Sequence, residues 1–277
     1  MTDRLAPVRS FDSTAPRGGR LLYRLLPIRR RTVLANLRRV FGGRLSEPEI
    51  VGLAQAHYAH LARCAAELAG SVLRPELRPP ARIESDPAAS SLFDAGGGVL
   101  ILTGHFGNWE VALTAAVASR PEYRGRFHIL RRPLFPAALD RFVNHRFECA
   151  GLGVLPKLGS LERLLSRLEA GDAVVFVLDQ HAGGRDGVTA DFFGHPASTF
   201  RSLAVVSLAT GVPVVPASSW REPDGSHVVR FEAPLPILEH DDPAEAIRLN
   251  TQAYNHALES LVLRHPEQWF WMHRRWK

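Results

Sequence analysis

The chain has 277 residues, 45% apolar and 22% charged, with a formal net charge of +6. This is the composition of a globular chain long enough to bury a large core, and it excludes a disordered or fibrous one. No apolar run reaches the length of a bilayer span, and the first residues hold charge and proline in place of a signal-peptide core. Cys64 and Cys149 are too few and too far apart for a disulfide framework or a metal site, and both read as small buried hydrophobes.

The charge is concentrated at the start. Residues 1–44 hold eleven arginines (4, 9, 17, 20, 24, 29, 30, 31, 38, 39 and 44) against Asp3 and Asp12. Leu21, Leu22, Leu25, Leu26 and Ile28 are interleaved at close to helical spacing. A basic amphipathic segment of this kind suits an anionic membrane surface; the alternative is a solvated, partly disordered terminus. Nucleic acid is not expected, because no base-reading motif or aromatic stacking pattern accompanies the arginines.

A short helix is predicted over 31–41, ended by Gly42-Gly43. Ser46 with Glu49 forms a capping box for a long helix to about Leu73. Its apolar stripe is Ile50, Leu53, Ala54, Leu61, Cys64, Ala65 and Leu68, interrupted by His57, read as a hydrogen-bonded histidine at the core edge. Pro75, Pro79 and Pro80 mark a boundary.

Beyond it strands and helices alternate. Strands are predicted at 98–103, 126–131, 152–156, 173–178, 212–218 and 227–232, and helices at 109–119, 136–149, 160–170, 199–210 and 243–264. This pattern predicts an α/β fold: a mostly parallel mixed sheet flanked by helices, an αβα sandwich, with an N-terminal helical segment. The turn Pro223-Asp224-Gly225 ends the sheet in a hairpin. Three units are expected: the basic N-terminus 1–30, helices 31–80 packed on the core, and the α/β domain 81–277.

The sharpest signal is Gly104-His105-Phe106-Gly107-Asn108-Trp109-Glu110, between a buried strand and a helix. The glycines allow a tight turn, and Asn108 reads as the N-cap. Glu110 falls in the first helical turn, where the macrodipole favours its charge. The turn lets Glu110 reach back to His105, and an imidazole oriented by a carboxylate is a general base for an alcohol. The blander reading is a hydrogen-bonded loop histidine beside a first-turn charge. In a parallel sheet, sites lie beyond the carboxyl ends of the strands. Arg131-Arg132-Pro133 and Asp179-Gln180-His181 end two further strands, so the three clusters are expected on one edge.

These residues also carry a family likeness. The block 104–110 resembles the His-x4-Asp/Glu motif of the lysophospholipid acyltransferase superfamily, and the chain is most similar to the late acyltransferases of lipid A biosynthesis and the phosphatidylinositol mannoside acyltransferases. Arg132-Pro133 with Leu139-Asp140 resembles a second block. Asp179-Gln180, Gly183-Gly184 and Asp191 through Thr199 resemble a third, Gly211 through Pro216 a fourth, and His265 through Lys277 the family ending. The resemblance implies transfer of a fatty acyl group from a thioester, on acyl carrier protein or coenzyme A, to a hydroxyl of a lipid or glycolipid, with no cofactor and no metal. His105 and Glu110 would be catalytic, and backbone amides of the 104–108 turn would steady the oxyanion. Asn108, Arg132, Gln180 and Asp191 would bind substrate. It places the protein peripherally on the cytoplasmic face of the inner membrane. The apolar groove for the acyl chain is expected near the helix after Glu110 and the Phe192-Phe193 loop; the alternative for Phe192-Phe193, followed by glycine, is insertion into a membrane. Lipid A members carry an N-terminal transmembrane helix that this sequence lacks, so an ornithine-type lipid, a glycolipid or a polyene-lipid head group is the expected alternative acceptor. The competing readings are a thioester hydrolase using the same pair and a non-catalytic membrane-surface module.

Overall fold

The structure, a computed structural model, describes residues 17–25, 28–74 and 79–277. Helices α1 (Arg17–Leu25), α2 (Arg30–Phe41) and α3 (Glu47–Leu73) lead into an α/β unit. Ser46 and Glu49 close the expected capping box, so α3 starts where its side chains satisfy the free amides of the first turn. The arginines up to Arg9, together with Leu26 and Pro75, lie outside the described residues. Among the described residues no helix is long and apolar enough to cross a membrane.

The remaining elements are β1 (Ala81–Ser85), α4 (Pro87–Asp94), β2 (Val99–Thr103), α5 (Trp109–Ser119), β3 (Phe127–Arg131), α6 (Ala137–Cys149), β4 (Gly153–Pro156), α7 (Leu161–Glu169), β5 (Ala173–Val177), β6 (Gly187–Phe192), β7 (His195–Phe200), α8 (Ser202–Thr210), β8 (Val214–Arg221), β9 (His227–Phe231) and α9 (Pro243–Arg264). Seven strands form one sheet in the order β1-β9-β8-β2-β5-β3-β4. It is parallel except where β8 meets β9 in the expected hairpin, so the mixed α/β architecture is as the alternation predicts.

Side chains alternate across the sheet. Leu100, Leu102, Val174, Phe176 and Val214 face one core, to which α2 and α3 contribute Val33, Leu37, Phe41, Ile50, Leu53 and Tyr58. Val99, Ile101, Phe127, Ile129, Val175, Ala217, Val229 and Phe231 face the other, under α4, α5 and α6.

Some expectations fail. The predicted start of a helix at 199 is strand: β6 and β7 form a separate antiparallel hairpin through Phe193-Gly194, both at positive φ (54° and 72°), as a two-residue hairpin turn requires. Helix α8 therefore begins at Ser202. Strand β1 carries no periodic apolar signal and was not expected; it is an edge strand held by pairing with β9. Cys149 is exposed, not buried. Phe192 and Phe193 are buried in the main core, so they are not a membrane finger.

Candidate active site

β2 and β5 are adjacent and parallel, with Thr103 opposite Val177. Two residues past each strand end, His105 and Asp179 meet. The His105 ring Nδ1–H donates to Asp179 Oδ1 at 2.8 Å, and the His105 backbone N–H donates to Asp179 Oδ2 at 2.7 Å. Trp269 Nε1–H also donates to Oδ2, at 2.9 Å. Three N–H donors thus solvate a fully buried carboxylate, as a buried charge requires. Gly104 makes the approach possible: a Cβ there would lie 2.8 Å from Asp179 Oδ2. Gly107 sits at φ 57°, and a Cβ there would lie 2.7 Å from the Ser219 carbonyl.

Burial works against charge on His105, but the charge and hydrogen bond of Asp179 outweigh it and lift the imidazole pKa above its usual value. Burial likewise opposes the Asp179 anion, yet His105 holds that carboxyl far below the ordinary range. His273 lies beside the pair, its Nε2 3.3 Å from His105 Nδ1. Burial depresses its pKa to about 4, so it is neutral at physiological pH. His105, Asp179 and His273 bring ligand atoms within 4.8 Å of one another. Both Asp179 oxygens already accept N–H bonds, however, so an ion would have to displace them.

With Nδ1 tied to Asp179, Nε2 is the ring atom left for chemistry. Gln180 Nε2 is 3.5 Å from it. His105 lines an open apolar cleft. The cleft runs under α5 along the sheet face, past Trp109, Leu113, Ile101, Ile129, Val175 and Val229 to Phe127 and Phe231.

The predicted residues fare unevenly. His105 and Gln180 are together. Glu110 is not their partner: among the described residues its carboxylate makes no hydrogen bond or ion pair with His105, whose Nδ1 is taken by Asp179. Burial raises the Glu110 pKa, and Arg146 and Arg131 oppose that rise from nearby. Asn108 holds the expected N-cap position of α5, but its side chain makes no capping bond and does not line the cleft. Its amide donates to Glu67 Oε2 and the Cys64 carbonyl, fastening the turn to α3. The amides of residues 105, 106 and 107 are all engaged, by Asp179, the Gly104 carbonyl and the Gln268 carbonyl, so they are not oxyanion donors. Arg132 lines a neighbouring groove with Lys157 and Arg201 rather than the cleft. Asp191 is exposed on β6, its backbone bound by Gln252 and Asn255 of α9, and it does not line the cleft.

The bacterial lipid A biosynthesis acyltransferase family model matches residues 2–277. The chain belongs to that family. A phosphatidylinositol mannoside acyltransferase of Mycolicibacterium smegmatis is 28% identical over 191 residues, 67% of this chain and 59% of that protein. A protein of the same name from Mycobacterium tuberculosis is 29% identical over 187 residues, 66% of this chain and 55% of its own. A lipid A biosynthesis lauroyltransferase of Escherichia coli is 29% identical over 119 residues, 42% of this chain and 38% of that protein. The chain thus spans less than two thirds of the length of these relatives.

In this lipid A acyltransferase family member the C-terminal segment closes the site. Phe270 N–H donates to the His105 carbonyl, and Asn36 holds the Trp271 and His273 carbonyls. Trp269 and Trp271 are fully buried, as core packing predicts. Arg275, in the family-like ending, is fully buried and donates to Ser198 O and Thr199 Oγ1. The roles of Asp179, Trp269 and His273 at His105 are not evident from spacing; the only sequence signal was the cluster Asp179-Gln180-His181 at a strand end.

Proposed function

We propose that this chain transfers a fatty acyl group from an acyl thioester to a hydroxyl of a lipid or glycolipid. The observation that carries the reading is an imidazole whose Nδ1 is locked to a buried carboxylate while its ring opens on a hydrocarbon-walled cleft. A cleft with such walls suits an alkyl chain, and its mouth sets the thioester carbonyl beside His105.

His105 Nε2 takes the proton of the acceptor hydroxyl as its oxygen attacks the thioester carbonyl carbon. Asp179 holds the tautomer and stabilises the imidazolium. Collapse of the tetrahedral adduct breaks the C–S bond, and the imidazolium returns its proton to the departing thiolate. No protein nucleophile is required, because a thioester is already activated; Ser219 Oγ, which reaches the cleft, is committed to the Phe106 carbonyl. Gln180, whose amide nitrogen is 3.5 Å from His105 Nε2, donates to the substrate at this edge. The donor is acyl carrier protein or coenzyme A, and the acceptor is a lipid or glycolipid such as those named for the relatives. The work site is the cytoplasmic face of the inner membrane, reached peripherally.

The test uses purified protein, dodecanoyl-coenzyme A and a lipid extract. Thiol release that requires the extract, with a new acylated lipid by mass spectrometry, supports the transferase. Equal release without any lipid would make it a hydrolase. Release that His105→Ala leaves intact would remove the base assigned here.

A further inference from the structure

β2, β5 and β3 are parallel, so the loops after them leave the sheet on one edge. Those after β2 and β5 carry His105 and Asp179. The loop after β3 and the start of α6 carry an exposed apolar knob. Phe135 is 95% exposed, with Leu134, Leu139 and Phe142 each more than two fifths exposed. Leu139 and Phe142 are three apart on α6 and share a face. Leaving four large hydrophobes in water on one short stretch marks an interaction surface.

The knob adjoins the cleft. Phe147 of α6 stacks on Trp109, a cleft-lining residue, at 5.9 Å between ring centroids. On its other side, Arg146 of α6 donates to Ser71 Oγ at the end of α3, where Val72 and Leu73 are exposed as well. The exposed charge beside it is mostly cationic, with Glu148 the exposed acid at the C-terminal end of α6. Arg74, Arg132 and Arg141 are exposed, whereas Asp140 is spent on Arg131 at 2.6 Å and on the Leu134 N–H.

We propose that Leu134, Phe135, Leu139 and Phe142 insert into the surface of an anionic bilayer and hold the mouth of the cleft against it. Aromatic and leucine side chains enter the acyl boundary while flanking arginines meet lipid phosphates. The inference relocates membrane contact from Phe192-Phe193, which is buried, to a surface that faces the same way as His105. It rests on the lipid-acting reading of the site, but its test needs no turnover, so the two can fail separately.

The experiment is co-sedimentation of the full chain with equimolar phosphatidylglycerol–phosphatidylcholine vesicles and with phosphatidylcholine vesicles. Wild type is expected to partition onto the anionic vesicles. Phe135→Ser, and Leu139→Ser with Phe142→Ser, should each weaken that partition by about tenfold or more. Circular dichroism should stay at the wild-type level. Phe135→Trp, which keeps the apolar contact, should gain fluorescence quenching by brominated lipid acyl chains. Undiminished vesicle binding by the serine variants would overturn the proposal, as would failure of wild type to bind. So would serine substitutions that weaken binding of purified acyl carrier protein and spare vesicles, since that result makes the knob a protein dock.

Discussion

The imidazole of His105 and the carboxylate of Asp179 are joined twice, ring to Oδ1 at 2.8 Å and backbone to Oδ2 at 2.7 Å. The double attachment fixes both the position of the loop and the tautomer of the ring. Asp179→Asn should therefore keep the fold yet reduce acyl transfer by roughly 10³-fold or more, because the wrong tautomer is stabilised. Glu110→Gln, which touches no ring atom, should cost at least tenfold less. Steady-state rates of the two variants measured side by side check the ranking, and the reverse order would return the orienting role to Glu110.

The same pair sets a pH profile. A general base works only when unprotonated, and Asp179 raises the His105 pKa above 6.5. The acid limb of kcat/KM should therefore lie above 6.5, with the rate rising as pH increases through the raised value. Removing the anion with Asp179→Asn lowers that pKa, so the limb should move to lower pH in whatever activity remains. An unmoved limb would mean that another group controls it.

The floor of the cleft makes a claim about chain length. Phe127 and Phe231, with Leu113 and Val229, line both the open cleft and a smaller adjoining void that Ala116, Val117 and Tyr123 also line. Phe231→Ala should join the two spaces and shift the preferred acyl-coenzyme A to longer chains. Ile101→Phe, midway along, should shift it to shorter ones. A panel of acyl-coenzyme A donors reads both shifts, and no change in either would place the alkyl chain elsewhere.

Stability should hinge on Glu67. It forms a bidentate pair with the buried Arg221, receives the Asn108 amide and lies 3.3 Å from His227 Nε2, tying α3 to β8, β9 and the catalytic turn. Burial opposes its charge, but these partners hold its pKa at about 2. That stabilisation is complete above the unfolded value near 4.5 and is lost as pH falls toward 2. Glu67→Leu strands a buried guanidinium and should cost about 3–5 kcal/mol at pH 7, read by chemical denaturation.

Three further buried groups act in the same direction. Burial lowers His57 and His273 to about 4 and His60 to about 3. Unfolded histidines protonate near 6.5, so between 6.5 and 4 the unfolded chain binds protons that the folded one refuses. Stability should fall steadily across that window, well before most carboxylates titrate. Thermal melts from pH 7 to 4 measure it, and His57→Gln should flatten the slope.

The sequence made some of this legible and hid the rest for definite reasons. Helix α3 is readable because its cap and its apolar stripe are local. Strands β2, β5 and β8 are readable as buried runs between turn signals. His105 stands out because glycines flank it at a strand end. Its partner does not, because Asp179 lies 74 positions away and only the adjacency of β2 and β5 brings them together. The nearer carboxylate, Glu110, drew the assignment since periodicity cannot say how a turn aims two side chains. Phe192-Phe193 misled for the same reason: an apolar pair before a glycine says nothing of what packs over it.

The placement of the dyad on two neighbouring central strands gives turnover a use as a clock. Local helices and the β8–β9 hairpin can form early in refolding, because their contacts are short in sequence. None of them creates the base. Only when β2 has found β5, and Trp269 has swung in against the carboxylate, does a competent imidazole exist. Recovery of thioester cleavage after dilution from denaturant should therefore trail the return of helical ellipticity, and the lag times the closure of these two long-range contacts.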